Sequence, residues 1–223
     1  MSGQNAMSKD NTVASNTRRY RGVSGEERKE ERRHRLIEAG LAVFGLAGYH
    51  GATVKAICVQ AGLTERYFYE SFANSEDLLC AVYEQHMALQ QERILGAVMA
   101  APREPGAMIE AGLRAFFELA RENPAGSRVQ FVEVLGVSPR VDRLYRQAIE
   151  NFAQMLRQLN LQLSQSEAVP ARDEETLSIG LVGASVGIAS RWLLSDFTQP
   201  LESMLATTMT IFTGVWQPRA AEH

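Results

Sequence analysis

An all-α chain follows from three features of the 223-residue sequence. Apolar residues recur at i, i+3, i+4 and i+7 through segment after segment, the period of a helix with one buried face. No useful run of period-two alternation, the mark of a half-buried strand, is found. Glycine and proline fall between the periodic segments and cut them to helix length. The outcome is about nine helices: a three-helix head containing a helix-turn-helix, and a larger helical domain behind it.

Composition sets bounds on what such a chain does. Apolar content of 45% with 22% charged residues is ordinary globular usage. A net charge of −3 and a pI near 5.9 exclude a surface that binds nucleic acid all over. A basic excess is nevertheless gathered between residues 18 and 35, just ahead of the helix-turn-helix. Cys58 and Cys80 have no metal-ligand spacing and read as small buried hydrophobes. The polar opening lacks a secretory apolar core, and the longest largely apolar stretch, Leu177 to Ala189, is shorter than a bilayer span. A soluble cytoplasmic protein with no membrane partner is expected.

Residues 1–24 read as a disordered basic arm, since 1–17 are rich in Ser, Asn and Thr with little to bury; Met7 offers a second start. Arg18, Arg19 and Arg21 either reach phosphates or a minor groove or belong to a solvated tail. A helix runs from Glu26 with Leu36, Ile37, Gly40, Leu41 and Phe44 inward, and Gly48 closes it. It should pack across the next two helices and lay its basic end, Arg28 to Arg35, near a DNA backbone.

Those next two helices form the helix-turn-helix. Val54, Ile57, Cys58 and Ala61 share one apolar face, and Thr53 supplies an N-cap hydroxyl. Gly62 suits the left-handed position that ends a helix, so the chain reverses there. Thr64 is placed to cap the second helix, in which Phe68 and Phe72 turn inward with Leu63 while Arg66, Tyr67 and Glu70 face out. A recognition helix enters the major groove by its first residues, here Thr64, Glu65, Arg66 and Tyr67. A small core-forming hairpin is the plainer reading of the same spacing. The head is bounded at 25–73.

Asn74 and Ser75 cap a long helix with Glu76 and Asp77 in its first turn; Leu78, Leu79, Val82 and Leu89 carry its stripe to about Ala100, where Pro102 and Pro105 break it. A helix over 106–122 stops at Asn123-Pro124, and a shorter one spans Ser127 to Val137. Pro139 at N1 opens another that reaches about Ser164. A linker over Gln165 to Arg172 precedes two apolar helices, about 173–195 and 199–216. The larger domain thus spans 74–217, with 218–223 a disordered tail. Gly180, Gly183, Ala184 and Gly187 form a stripe of small residues on the first of the last two helices, and Leu205, Thr208 and Phe212 lie on the broad apolar face of the second. Part of this surface closes the chain's own core. The rest predicts a homodimer through a four-helix bundle, with Gly180, Gly183, Ala184, Gly187, Leu205, Thr208 and Phe212 at the interface.

No enzyme chemistry asserts itself. The histidines are scattered without metal spacing, and neither G-x-S-x-G nor a P-loop is present, so no catalytic residue, metal or cofactor is expected.

The run Ala39-Gly40-Leu41-Ala42-Val43-Phe44, then Gly48-Tyr49-His50-Gly51-Ala52-Thr53-Val54, Ala61-Gly62-Leu63-Thr64, Tyr69, Phe72 and Ser75-Glu76-Asp77-Leu78-Leu79 resembles the tetracycline-repressor family. The likeness covers about residues 30–80. It implies a dimer with two heads on a palindromic operator duplex and a small-molecule effector in the larger domain, with repression as the default. Matching positions place Lys55, Glu65, Arg66 and Tyr67 at bases or groove, and Thr53 and Tyr69 at phosphates. The chain departs from the family pattern at Arg66, where Gly is common, at Ser71, where His is frequent, and at Ser75, where Lys is usual. Two phosphate contacts therefore lack their usual residue, and Arg66 gains the reach for a guanine edge. For a mainly apolar effector the candidates are Phe116, Phe117, Phe131, Tyr145, Met155 and Trp192, with Arg114, Glu118, Glu133 and Arg191 as polar fixtures. Plain core is the competing reading of each. The alternatives to a ligand-responsive DNA-binding regulator are a helical dimeric scaffold without specific DNA binding and an unrecognised enzyme.

Overall fold

The computed structural model describes residues 25–163 and 171–216, and those residues form helices with no strand. The head comprises α1 (Gly25–Ala47), α2 (Val54–Ala61) and α3 (Glu65–Ser71). Behind it come α4 (Ser75–Ala100), α5 (Pro105–Glu122), α6 (Pro124–Arg128), a π-helical turn (Val129–Glu133), α7 (Pro139–Leu163), α8 (Ala171–Leu194) and α9 (Leu201–Trp216). Arg18, Arg19 and Arg21, most of the 165–172 linker and the 218–223 tail lie outside the described residues.

Local chemistry accounts for the boundaries. Thr53 Oγ1 accepts from Ala56 N at 3.1 Å and Asn74 Oδ1 accepts from Asp77 N at 2.9 Å, each satisfying an orphan first-turn amide. Gly62 sits at φ 63°, where a Cβ would be strained, and its amide closes the turn onto Val59 O. Thr64 occupies the cap position of α3, but its side chain makes no capping bond. Ser75 is the first helical residue, and the cap is Asn74 alone.

Three apolar clusters order the interior. The first runs without a break from Leu36, Phe44, Ile57 and Phe68 in the head to Leu78, Val82 and Tyr83 on α4 and Val129 and Val141 beyond, so the head rests on the base of the larger domain. The second gathers Phe116, Phe117, Phe131, Ala189 and Trp192, and the third gathers Leu113, Leu181, Leu205 and Phe212.

Several expectations are corrected. The short helix expected over Ser127–Val137 begins instead at Pro124, because Asn123 Oδ1 accepts from Gly126 N and proline suits N1. It then widens into the π turn. Leu89 faces outward on α4, at 38% exposure. The apolar part of α8 is longer than Leu177–Ala189: Glu174–Leu194 is long and apolar enough by composition to cross a membrane, and its inner face packs on α7 and α9. Asp196 and Phe197, both at φ 53°, turn the chain between α8 and α9. That left-handed pair is held by Trp192, whose ring meets Phe197 edge-on at 4.9 Å and whose Nε1 donates to Gln199 O at 2.9 Å.

Candidate functional site

Two sites emerge, an outer face on the head and a cavity behind it. On the head, α3 buries Phe68 and Phe72 and turns Glu65, Arg66 and Tyr69 to solvent, with Tyr67 half-buried. Thr53, Lys55 and Thr64 are exposed beside them, and Ser71 and Ser75 are half-buried. Arg66 is not loose: its Nε donates to Glu70 Oε1 at 3.1 Å, one turn along. The other oxygen of Glu70 lies 3.9 Å from Arg32 Nη2, and the Arg32 guanidinium stands 4.6 Å from the centre of the Tyr67 ring. Arg32 thus backs the two residues best placed to enter a groove. Neither its role nor that of Glu70 was legible, because the register of α1 against α3 is a tertiary fact.

The basic end of α1 is accordingly only partly free for phosphates. Arg33 donates to Ser71 O at 3.3 Å and lies over the Phe72 ring at 4.4 Å, and Arg35 donates to Ala61 O at 2.6 Å. These arginines cover the carbonyls that α2 and α3 leave unpaired at their C-termini, which fixes the crossing of the three helices.

The cavity, of about 240 Å³, lies among α4, α5, the π turn, α7 and α8. Its wall runs along α4 from Tyr83 through Met87, Gln90 and Ile94 to Val98, and along α7 from Tyr145 through Phe152 to Leu159. Fifteen residues of helical rise make the slot roughly 22 Å long. Of the expected effector residues, Phe116, Phe131, Tyr145 and Met155 line it; Phe117 and Trp192 do not, and their rings pack edge-on against each other at 6.0 Å instead. The four polar fixtures are elsewhere. Arg114 forks onto Glu202 at 2.6 and 3.0 Å and pairs with Glu110, and Arg191 is exposed. Glu133 points to the head, and Glu118 is absent from the lining. Among the described residues, no charged side chain lines the cavity.

Its polar groups are others: the Tyr83 and Tyr145 hydroxyls, Ser185, and a buried amide pair, Gln90 with Gln130. Burial holds both phenols above their ordinary pKa, so they stay protonated. Gln90 stands on the same face as Tyr83 and Ile94, and a polar residue on an apolar stripe was the signal available. Next to the pair, His86 is buried with neither ring nitrogen hydrogen-bonded. Desolvation pushes its pKa down to about 4, opposed in part by the Gln130 side chain, so the ring is neutral at pH 7.

Cavity and head are joined at more than the short α3–α4 junction at Asn74-Ser75. Glu133, on the same π turn as Gln130 and Phe131, accepts from Tyr49 N at 2.7 Å and from Arg128 Nε at 3.0 Å. A Cβ on Gly45 of α1 would come 2.5 Å from Ala125 Cβ, and one on Gly126 would come 2.4 Å from His86 Cε1. So α6 is wedged between α1 and α4. Arg140 on α7 pairs with Asp77 and holds its carboxyl below the ordinary range.

On the outer side of α8, Gly180, Gly183 and Gly187 are exposed and a Cβ at each would meet nothing within 4 Å among the described residues; Ala184 is half-buried. The partners assigned to them on α9 are corrected: Leu205, Thr208 and Phe212 are buried at 4%, 0% and 2% and face inward. The outer face of α9 carries Ala206, Thr207, Thr210, Ile211 and Gly214 instead.

Comparison with known proteins accords with both halves. The transcriptional activator FasR of Mycolicibacterium smegmatis is 26% identical over 186 residues, covering 82% of this chain and 81% of that one. Among solved structures, the fatty acid degradation regulator FadR of Bacillus halodurans superposes with a TM-score of 0.73 at 16% identity, over 84% of this chain and 97% of that one. FadR of Bacillus subtilis, solved in complex with stearoyl-CoA, gives 0.67 at 17% identity over 80% and 96%. At such identities the structures show a shared fold. Residues 36–82 match the model of bacterial regulatory proteins of the tetR family, so the head of this chain is similar to theirs.

Proposed function

We propose that the protein is a ligand-responsive DNA-binding transcriptional regulator, acting in the cytoplasm as a homodimer. Residues 25–73 read a palindromic operator, and residues 74–217 bind the effector and the second copy. The observation that carries this is the shared π turn and α4: the elements that wall the cavity also grip the head and follow the recognition helix directly. Arg66 and Tyr67 read base edges, with Lys55, Thr64 and Glu65 at the groove. Thr53, Tyr69, Ser71, Ser75 and the arm with Arg18, Arg19 and Arg21 face the backbone. An elongated apolar molecule such as a long acyl chain fits a slot of roughly 22 Å without a charged lining. The stearoyl-CoA held by the Bacillus subtilis structure carries a chain of that kind on a charged head.

The effector lowers operator affinity, so that a bound repressor is released. A hundredfold loss requires a preference of about 2.7 kcal/mol for the state that does not bind DNA, within reach of a buried apolar chain. Linkage then demands that operator DNA weaken ligand binding by the same factor. Selection of bound sequences from random duplexes tests the reading. Enrichment of a two-fold-symmetric site whose occupancy falls with an acyl ligand is expected. Binding without sequence enrichment would leave the scaffold alternative, and turnover of a bound ligand would favour an enzyme.

A further inference from the structure

The Gln90–Gln130 pair is a polar shelf in an otherwise apolar stretch of wall. Both side chains are buried, at 2% and 4% exposure, and each amide nitrogen donates to the other's oxygen, at 3.2 and 3.0 Å. An amide paired in this way still has one N–H and one oxygen lone pair unused. His86, beside them and 3% exposed, has both ring nitrogens unpaired. His86 does not line the cavity and packs behind the pair against Gly126, so the unused capacity that faces a ligand is that of the two amides, at one level of the cavity. That level is the middle: Gln90 stands seven residues beyond Tyr83 and eight short of Val98, about 10 and 12 Å of helical rise.

We infer that the effector is an elongated apolar molecule with an uncharged hydrogen-bonding oxygen, a hydroxyl or keto group, near its middle, bound by the Gln90–Gln130 shelf. The inference rests on the reading of the cavity as the effector site. An unsubstituted hydrocarbon chain drawn past the shelf strips its water and returns nothing to the spare amide groups. An ionised group at that level is disfavoured, because among the described residues no Lys or Arg lines the cavity, and burial keeps His86, behind the pair, neutral. Any carboxylate or phosphate of the ligand stays at an outer end. With carbon–carbon bonds of about 1.5 Å, an extended chain advances roughly 1.3 Å per carbon, so the 12 Å from Val98 to Gln90 takes about nine carbons.

The test is calorimetric titration of the full-length protein with a saturated straight-chain fatty acid of about eighteen carbons and with the same acid hydroxylated at about the tenth carbon. The hydroxylated acid should bind at least about tenfold more tightly, as expected where a site built to hydrogen-bond meets an analogue lacking the partner. In the double variant Gln90→Leu/Gln130→Leu the gap should close, with the fold checked by near-ultraviolet circular dichroism. Equal affinities for the wild-type protein, or a preference that survives in a folded double variant, overturn the inference. The wild-type comparison decides even if the variant does not fold. If neither acid binds, the effector reading of the cavity fails as well; equal binding removes only the shelf.

Discussion

At the residue scale, Glu70 is a carboxylate on the outer face of α3, the face proposed above to meet DNA. Its bonds to Arg66 and, through Arg32, to the Tyr67 ring make sense of it as a positioning residue. An exposed ion pair of this kind contributes little to stability, so its effect should be on selectivity. Arg66→Ala is expected to cost about 1–3 kcal/mol on the operator and to relax preference at one base pair per half-site. Glu70→Ala should instead raise affinity for all sequences while narrowing the margin between operator and random DNA, measured by competition with single-base-substituted duplexes. An unchanged margin would return Glu70 to a merely solvated role. His86 gives a prediction on stability. Its imidazole titrates at 6.5 when free and at about 4 in the fold, so between those values the unfolded chain binds the extra proton. Stability is therefore complete above about pH 6.5 and falls as the pH drops towards 4, by up to about 1.4 kcal/mol per unit. Denaturant unfolding at a series of pH values should show this slope in the wild-type protein and its loss in His86→Leu.

At the element scale, the π turn is the piece that touches both sites, since Gln130 and Phe131 face the cavity and Glu133 holds the Tyr49 amide of the head. Widened helical turns of this sort are frequent at functional positions. Glu133→Gln should keep operator and ligand binding near wild-type but shrink the coupling between them, read as the ratio of ligand affinities with and without saturating DNA. A ratio unchanged from wild type would place the coupling in the α3–α4 hinge alone. This turn was not legible, because an i→i+5 insertion has no compositional mark and is set by the packing of α6 between Gly45 and His86. The capped and punctuated elements were legible: Thr53, Gly62, Asn74 and Pro139 act locally, and each lies where its own chemistry requires. The cavity was half legible. Aromatic residues on helices mark apolar interior, but nothing local separates Phe116, which lines the slot, from Phe117, which packs behind it on Trp192. On α9 the stripe told which residues share a face and not which neighbour covers it. Leu205, Thr208 and Phe212 therefore went to a partner copy when their own chain buries them.

At the scale of the whole molecule, the three exposed glycines of α8 have no use within one chain. Each costs roughly 1 kcal/mol against alanine in a helix interior, and a Cβ at any of them would meet open space. In a monomer, then, Gly183→Ala should stabilise the fold. The opposite holds if a helix of a second copy lies along Gly180, Gly183 and Gly187 at a backbone distance that only glycine permits, with the small outer residues of α9 completing the four-helix bundle. On that reading Gly183→Ala weakens the dimer and Gly183→Leu separates it. A single head then holds half the phosphates and one half-site, so operator affinity should collapse and the salt dependence of binding should flatten. Sedimentation of the two variants against the wild-type protein, with thermal melts at several concentrations, decides between the two. A concentration-independent melt that rises for Gly183→Ala would remove the dimer from this face.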